Sequence, residues 1–154
     1  MIKKIILWIS VIGMSLVIFD FSTHTGEESS GLSVKIAEYI TDIVEKIIMS
    51  KSDRHQEIFD VMHFLIRKGA HFTEFAILGI LSFLLVRSYG LTIKNGIFIG
   101  LTYCILFAVC DEIHQLFVAG RSGNIVDVCI DSAGSLTGIA LCSVVCWRKK
   151  QKKI

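Results

Sequence analysis

The chain has 154 residues, 53% of them hydrophobic and none of them proline, with a mean hydropathy of +0.64. It is too apolar and too short for an ordinary soluble two-domain protein and reads as one small membrane domain over residues 1–154. A net charge of +2 without any RNA- or DNA-binding motif gives no nucleic-acid partner and leaves the lipid bilayer as the expected one.

Lys3 and Lys4 precede an apolar run, and a helix from Ile5 to Phe21 rising 1.5 Å per residue comes close to crossing the ~30 Å hydrocarbon core. The basic flank is like that of a secretory leader, but Phe21-Ser-Thr-His-Thr25 offers no A-x-A-like cleavage site, so the segment is expected to be an uncleaved anchor. Ser22 to Gly31, rich in Ser, Thr, Gly and Glu, predicts a loop. Beyond it, Leu32, Ile36, Tyr39, Ile40, Ile43, Ile47 and Ile48 recur at steps of three and four, while Lys35, Glu38, Asp42, Glu45 and Lys46 take the other side. That spacing predicts an amphipathic helix lying on the membrane or on its neighbours.

Asp53 followed by Gln56 has the spacing of a capping box that opens the next helix. Its stripe of Ile58, Met62, Leu65 and Ile66 runs on through Arg67-Lys-Gly-Ala-His71, so one long helix bending at Gly69 leads into the second span. A turn marked by Arg87 and Lys94 precedes the third span, and the loop near Phe117 to Asn124 precedes the fourth. The expected fold class is therefore all-α: a polytopic membrane protein with four transmembrane helices and an amphipathic helical outer segment between the first and second. The spans cover residues 5–21, 70–86, 96–112 and 125–147. Cys104, Cys110, Cys129, Cys142 and Cys146 lie in or beside apolar runs with no CxxC spacing and read as free, packed thiols.

Strict alternation of four spans puts Lys3, Lys4, Arg87, Lys94 and the tail Arg148-Lys-Lys-Gln-Lys-Lys153 on one side. The positive-inside rule assigns that side to the cytoplasm, with both termini inside. Lys35, Lys46, Lys51, Arg54, Arg67 and Lys68 oppose this assignment, although most of them stand on helices among acidic residues.

The same alternation sends Ser22, His71, Glu74, Asp111, Glu112, His114, Gln115, Asp127 and Asp131 to the opposite, outer leaflet. Arg67, His71 and Glu74 share a helix face, as do Asp111, His114 and Gln115, and Asp127 and Asp131 are a turn apart. A charge facing lipid at mid-depth costs ~2.5 to 3.5 kcal/mol, so these stripes are expected to face one another. Asp127 has two readings: a site residue, or the N3 carboxylate of a helix that Asn124 caps. Asp111 stands on the unfavourable end of its helix dipole, and Asp131 lies a turn deeper than capping needs. Two like charges about 6 Å apart along a helix call for a shared proton, Arg121 or a cation beside them. His24, His55 and His63 lie outside the pattern and read as surface residues. Gly134, Ser135, Gly138 and Ala140 are small enough to let helices approach closely.

Three blocks, FSTHTGEESSGLS from Phe21, RKGAHFTEF from Arg67 and DEIHQLFVAGRSGNIVDVCIDSAGSLTG from Asp111, resemble in order the signatures of the VanZ-like family of small bacterial membrane proteins. Ala119 stands where that family often has proline, Phe75 where tyrosine is frequent, and His24-Thr25 replaces a stretch that often contains proline. No charged signature position is missing. The resemblance implies a bacterial cell-envelope protein, its namesake linked to teicoplanin resistance, and implies no settled reaction.

Three functions remain open at this level. The first is a membrane-embedded enzyme on a lipid-linked or phosphate-bearing envelope substrate. There His71, Glu74, Asp111, His114 and Asp131 would be catalytic candidates, and these together with Asp127 possible ligands of a divalent metal. Arg67, Lys68, Gln115, Arg121 and Ser22 would hold the substrate. The second is a non-catalytic protein that binds a lipid head group, a lipid-linked envelope precursor or a glycopeptide. The third is an interhelical polar network in a small transporter or assembly partner. The sequence carries no HExxH and no nucleophile motif, and it leaves the oligomeric state open.

Overall fold

A computed structural model of the chain describes residues 1–23, 26–48, 55–118 and 123–151. They form five helices: α1 (Ile2–Thr23), α2 (Gly26–Ile48), α3 (His55–Arg87), α4 (Ile93–Gln115) and α5 (Ile125–Gln151), with no strand among the described residues. All-α is the class that a proline-free chain with apolar residues in long uninterrupted runs should adopt, because within a bilayer a helix satisfies its own backbone polar groups. Four helices are long and apolar enough to cross a membrane: Ile2–Thr23, Gln56–Arg87, Ile93–Gln115 and Ile125–Arg148. The protein is a multi-pass membrane protein.

α1, α3 and α4 overrun the expected spans at both ends, while α5 starts at the expected Ile125 and overruns only at its C-terminal end. The loop expected over Ser22 to Gly31 is a correction: α1 runs to Thr23 and α2 starts at Gly26, so polar composition there marks helix ends rather than irregular chain. The box expected from Asp53 lies outside the described residues, and α3 continues through Gly69 without interruption. Its 33 residues make about 50 Å at 1.5 Å per residue, longer than a ~30 Å hydrocarbon core. Lys94, expected in the turn, sits in the first turn of α4. That turn is closed by Gly90 at φ +80°, a conformation that suits a residue without Cβ, and by Thr92, whose hydroxyl accepts from Asn95 N at 3.2 Å as the N-cap of α4.

α3 is the centre of the bundle and packs against all four other helices. Its Phe75, Leu78 and Leu85 meet Val11 and Ile18 of α1 and Cys104 and Ala108 of α4 in the apolar core. The outer surface of α1 presents Ile5, Ile6, Ile9, Ile12 and Leu16. Lipid is as apolar as these side chains, so close packing and polar contacts, rather than withdrawal of apolar area, must hold the helices together.

The α3–α5 seam supplies the packing. A Cβ at Gly134 or Gly138 would run into the carbonyl of Phe72 or Ala76, and one at Gly79 would come 2.5 Å from the carbonyl oxygen of Ser135. Ser135 Oγ donates across the seam to Phe75 O at 3.2 Å. Ala140, expected in this stripe, is exposed, because it points away from α3.

α2 packs on α3 with Ala37 and Thr41 buried. Ile36, Tyr39 and Ile43 are exposed, so only part of the expected apolar stripe docks on the bundle; the side chains of Leu32, Ile47 and Ile48 are outside the described set. None of the five cysteines is in a disulfide among the described residues, as expected. Only Cys104 is buried, while Cys110 and Cys129 are exposed on the bundle surface rather than packed.

Candidate functional site

The alternating helices bring the polar stripes of α3, α4 and α5 together at one end of the bundle, with the last turn of α1 beside them. Lys68 of α3 pairs with Asp127 of α5, and one turn further His71 Nδ1 lies 4.0 Å from Asp131 Oδ1. The next contacts along the same two helices are Phe72 with Gly134 and Ala76 with Gly138. Polar pairs and glycine contacts are rungs of one parallel ladder. The glycines therefore set the separation and register that put Asp131 beside His71.

Asp111 is 2% exposed and is held from two helices. Its Oδ2 accepts from Ser22 Oγ of α1 at 2.6 Å and from Gln115 Nε2, one turn along α4, at 3.0 Å; Gln115 also donates to Ser22 Oγ at 3.2 Å. Ser22 and Gln115, expected as substrate contacts, are both buried and orient this carboxylate. Its other oxygen, Oδ1, is buried with no hydrogen-bond partner among the described residues.

Asp131 is fully buried, and neither of its oxygens accepts a hydrogen bond from the described residues. A side chain of this kind is costly to bury without a partner of opposite charge. Its surroundings add to the cost: Asp111, Glu112 and Asp127 act on it electrostatically, with Lys68 as the opposing cation, and Lys68 already pairs with Asp127. Glu74, half-buried on α3, interacts in turn with Asp111. Among the described residues, the site is a concentration of carboxylates with few cations.

His71, Asp111 and Asp131, from three different helices, each offer one ligand atom, and these atoms lie within 4.8 Å of one another. One imidazole and two carboxylates are a donor set that borderline divalent metals accept. His114 stands apart from this trio: its ring packs on Phe19 of α1 with centroids 4.3 Å apart. Asp127 and Glu74 also lie outside the trio, the first engaged by Lys68. Arg67 and Lys68 line a recess of about 170 Å³ with Asp60, His63 and Phe64, next to the ion pair. Arg121 lies outside the described residues, as does His24. His63, expected at the surface, is half-buried and stacks on Phe59.

Glu112 belongs to the site although spacing alone did not select it. It is 5% exposed, and its Oε2 accepts the backbone N–H of Asn124 at 2.8 Å. Asn124 Oδ1 in turn accepts from Val126 N at 3.0 Å, so Asn124 is the N-cap of α5. In a capping box the N3 carboxylate would take the N-cap N–H. Here α4 supplies that acceptor and frees Asp127 for Lys68. The pair Asp111-Glu112 was the available signal, but successive helical residues point about 100° apart, so Glu112 fell off the expected face.

These features define a helical multi-pass membrane protein with a His-Asp-Asp cluster, its two carboxylates buried and its histidine half-buried, at one end of its bundle. A sequence model of the VanZ/LLP1 family matches residues 5–146, nearly the whole chain, and the protein belongs to this VanZ-like family. No curated protein and no solved structure gives a significant match.

Proposed function

We propose that His71, Asp111 and Asp131 form a divalent-cation site facing the outer leaflet, where the protein engages a phosphate-bearing, lipid-linked envelope precursor and thereby alters susceptibility to teicoplanin. The observation that carries this reading is the convergence of three ligand atoms from three helices within 4.8 Å, two of the residues being buried carboxylates. A divalent ion would balance the local excess of carboxylates and could polarise a phosphoryl oxygen, while Arg67, Lys68 and Arg121 would attract the remaining anionic charge. Orientation rests on the basic flanks of the opposite bundle end, which favour the cytoplasm and so put both termini there and the site outside, in a bacterial cell membrane. The exposed Ile36, Tyr39 and Ile43 of α2 would then rest on the outer membrane surface.

The Ser22–Asp111–Gln115 hydrogen bonds favour a second reading, a purely structural interhelical network. One experiment separates the two. Full-length protein in lipid nanodiscs, stripped with chelator, is titrated with Zn²⁺ and with Mn²⁺, and the same variants are scored for teicoplanin susceptibility in cells with their membrane level monitored. Stoichiometric binding lost in Asp131→Asn, together with loss of the phenotype at normal protein level, supports the site. Absence of any binding to the wild type removes the metal, and loss of the protein itself in the variants leaves the network.

A further inference from the structure

The opposite end of the bundle holds a second feature, independent of the cation site. A cavity of about 250 Å³ lies between α1, α3 and α4, lined by Trp8, Val11, Leu85, Tyr89, Ile99 and Tyr103 among others. Trp8, Tyr89 and Ile99 are about half exposed, which puts its mouth on the surface that a bilayer would cover. Its polar side chains are already partnered: Trp8 Nε1 donates to Tyr89 Oη at 2.9 Å, Tyr103 Oη shares a hydrogen bond of 2.8 Å with Ser15 Oγ outside the lining, and Ser82 Oγ accepts from Cys104 Sγ at 3.8 Å. What remains is an apolar slot, below the ~300 to 1,000 Å³ of sites for drug-sized ligands and of a size to admit a slender chain.

The charge at its rim is of one sign. Lys4 Nζ lies 4.3 Å from the centroid of the Tyr89 ring, and Arg87 donates to the carbonyl of Leu91, another lining residue. The Arg87 Nε is buried without a hydrogen-bond partner among the described residues. Among the described residues, 1–19, 75–110 and 132–151, which form this end, contain Lys3, Lys4, Arg87, Lys94, Arg148, Lys149 and Lys150 and not one Asp or Glu. Topology signals account for basic residues here, but not for an apolar slot opening beside two of them. A ligand with an apolar chain and an anionic head satisfies both halves.

We infer that this is a binding site for an anionic phospholipid, with one acyl chain in the slot between α1, α3 and α4 and the phosphate at Lys4 and Arg87. Trp8 and Tyr89 form the rim at the depth where aromatic side chains favour the membrane interface.

The test uses the full chain with Trp147→Phe, which leaves Trp8 as the sole indole, reconstituted over the same series of mole fractions with acyl-brominated phosphatidylglycerol or acyl-brominated phosphatidylcholine. Phosphatidylglycerol should quench Trp8 at lower mole fraction, and Lys4→Gln should cut that preference about fivefold, as expected for removal of one cation near an anionic head group. Ile99→Phe, on the lipid-facing rim, should reduce quenching by both lipids by narrowing the slot. Equal quenching by the two lipids in the unmodified site overturns the head-group assignment without recourse to any variant. Quenching unchanged by Ile99→Phe overturns occupation of the slot.

Discussion

The backbone N–H of Asn124 donates to Glu112 Oε2, so the first turn of α5 is closed by a side chain from α4. This ties the two acidic helices together at the point where Asp111 and Asp131 must meet. Glu112→Ala would leave a donor at the helix start without this acceptor and should cost about 1 to 2 kcal/mol, a loss typical of removing a cap. Thermal unfolding in detergent should register it as a Tm lower by about 2–4 °C per kcal/mol, and Glu112→Gln, which keeps an acceptor oxygen, should recover part of the loss.

Gly138 abuts the backbone of Ala76. Gly138→Val should push α5 from α3 and cost at least the 1–3 kcal/mol or so of ordinary overpacking, since a backbone carbonyl cannot rotate aside as a side chain can. The same displacement would separate Asp131 from His71, so divalent binding should fall with stability. Leu141→Val, on the exposed side of α5, should leave both nearly unchanged. Membrane accumulation and cation titration on the same preparations check the pair.

Ser22 and Gln115 distinguish a cation site from a structural network. If Asp111 is a ligand, Ser22→Ala should weaken divalent binding about 10- to 100-fold, the range for losing a group that orients a metal ligand. Ser22 Oγ donates only to Asp111, and Gln115 still reaches that carboxylate in the variant. Calorimetric titration reads the affinity directly.

Occupation of the site should also be visible as stability. At an ion concentration about 100-fold above Kd, the folded protein should gain about 2.7 kcal/mol, and chelation should reverse the gain. Asp131→Asn should abolish this response to added Zn²⁺ or Mn²⁺, whereas Lys4→Gln, at the other end of the bundle, should retain it.

Lys68 and Asp127 form a partly exposed ion pair between α3 and α5. A double-mutant cycle with Lys68→Gln and Asp127→Asn should give a coupling of about 1 kcal/mol, at the upper end of exposed pairs because the side chains are mostly covered. If Lys68 also draws anionic substrate, Lys68→Gln should reduce the effect on teicoplanin susceptibility while leaving divalent binding within a few-fold of wild type.

Much of the architecture was legible in residue order. Long apolar runs set four spans, and their alternation sent Ser22, His71, Asp111 and Asp131 to one end, because each span reverses the direction of the span before it. The polar composition of Ser22 to Gly31 misled, since local composition does not tell a loop from two helix ends separated by a short break. Ala140 was misplaced because spacing identifies small residues without identifying the direction of the neighbouring helix.

The sequence by itself determined the helical class, the family and the end of the bundle at which the carboxylates collect, since all three follow from local pattern and chain direction. Tertiary structure alone decided which of them meet. The Gly134 and Gly138 contacts fix the register of α5 on α3, and that register selects His71 and Asp131 as neighbours and hands Asp127 to Lys68. The packing of α4 on its neighbours likewise sets His114 against Phe19 of α1 and Glu112 against Asn124 at the start of α5. Helical spacing places a residue on a face, but only the rotation and offset of the packed helices determine what that face touches.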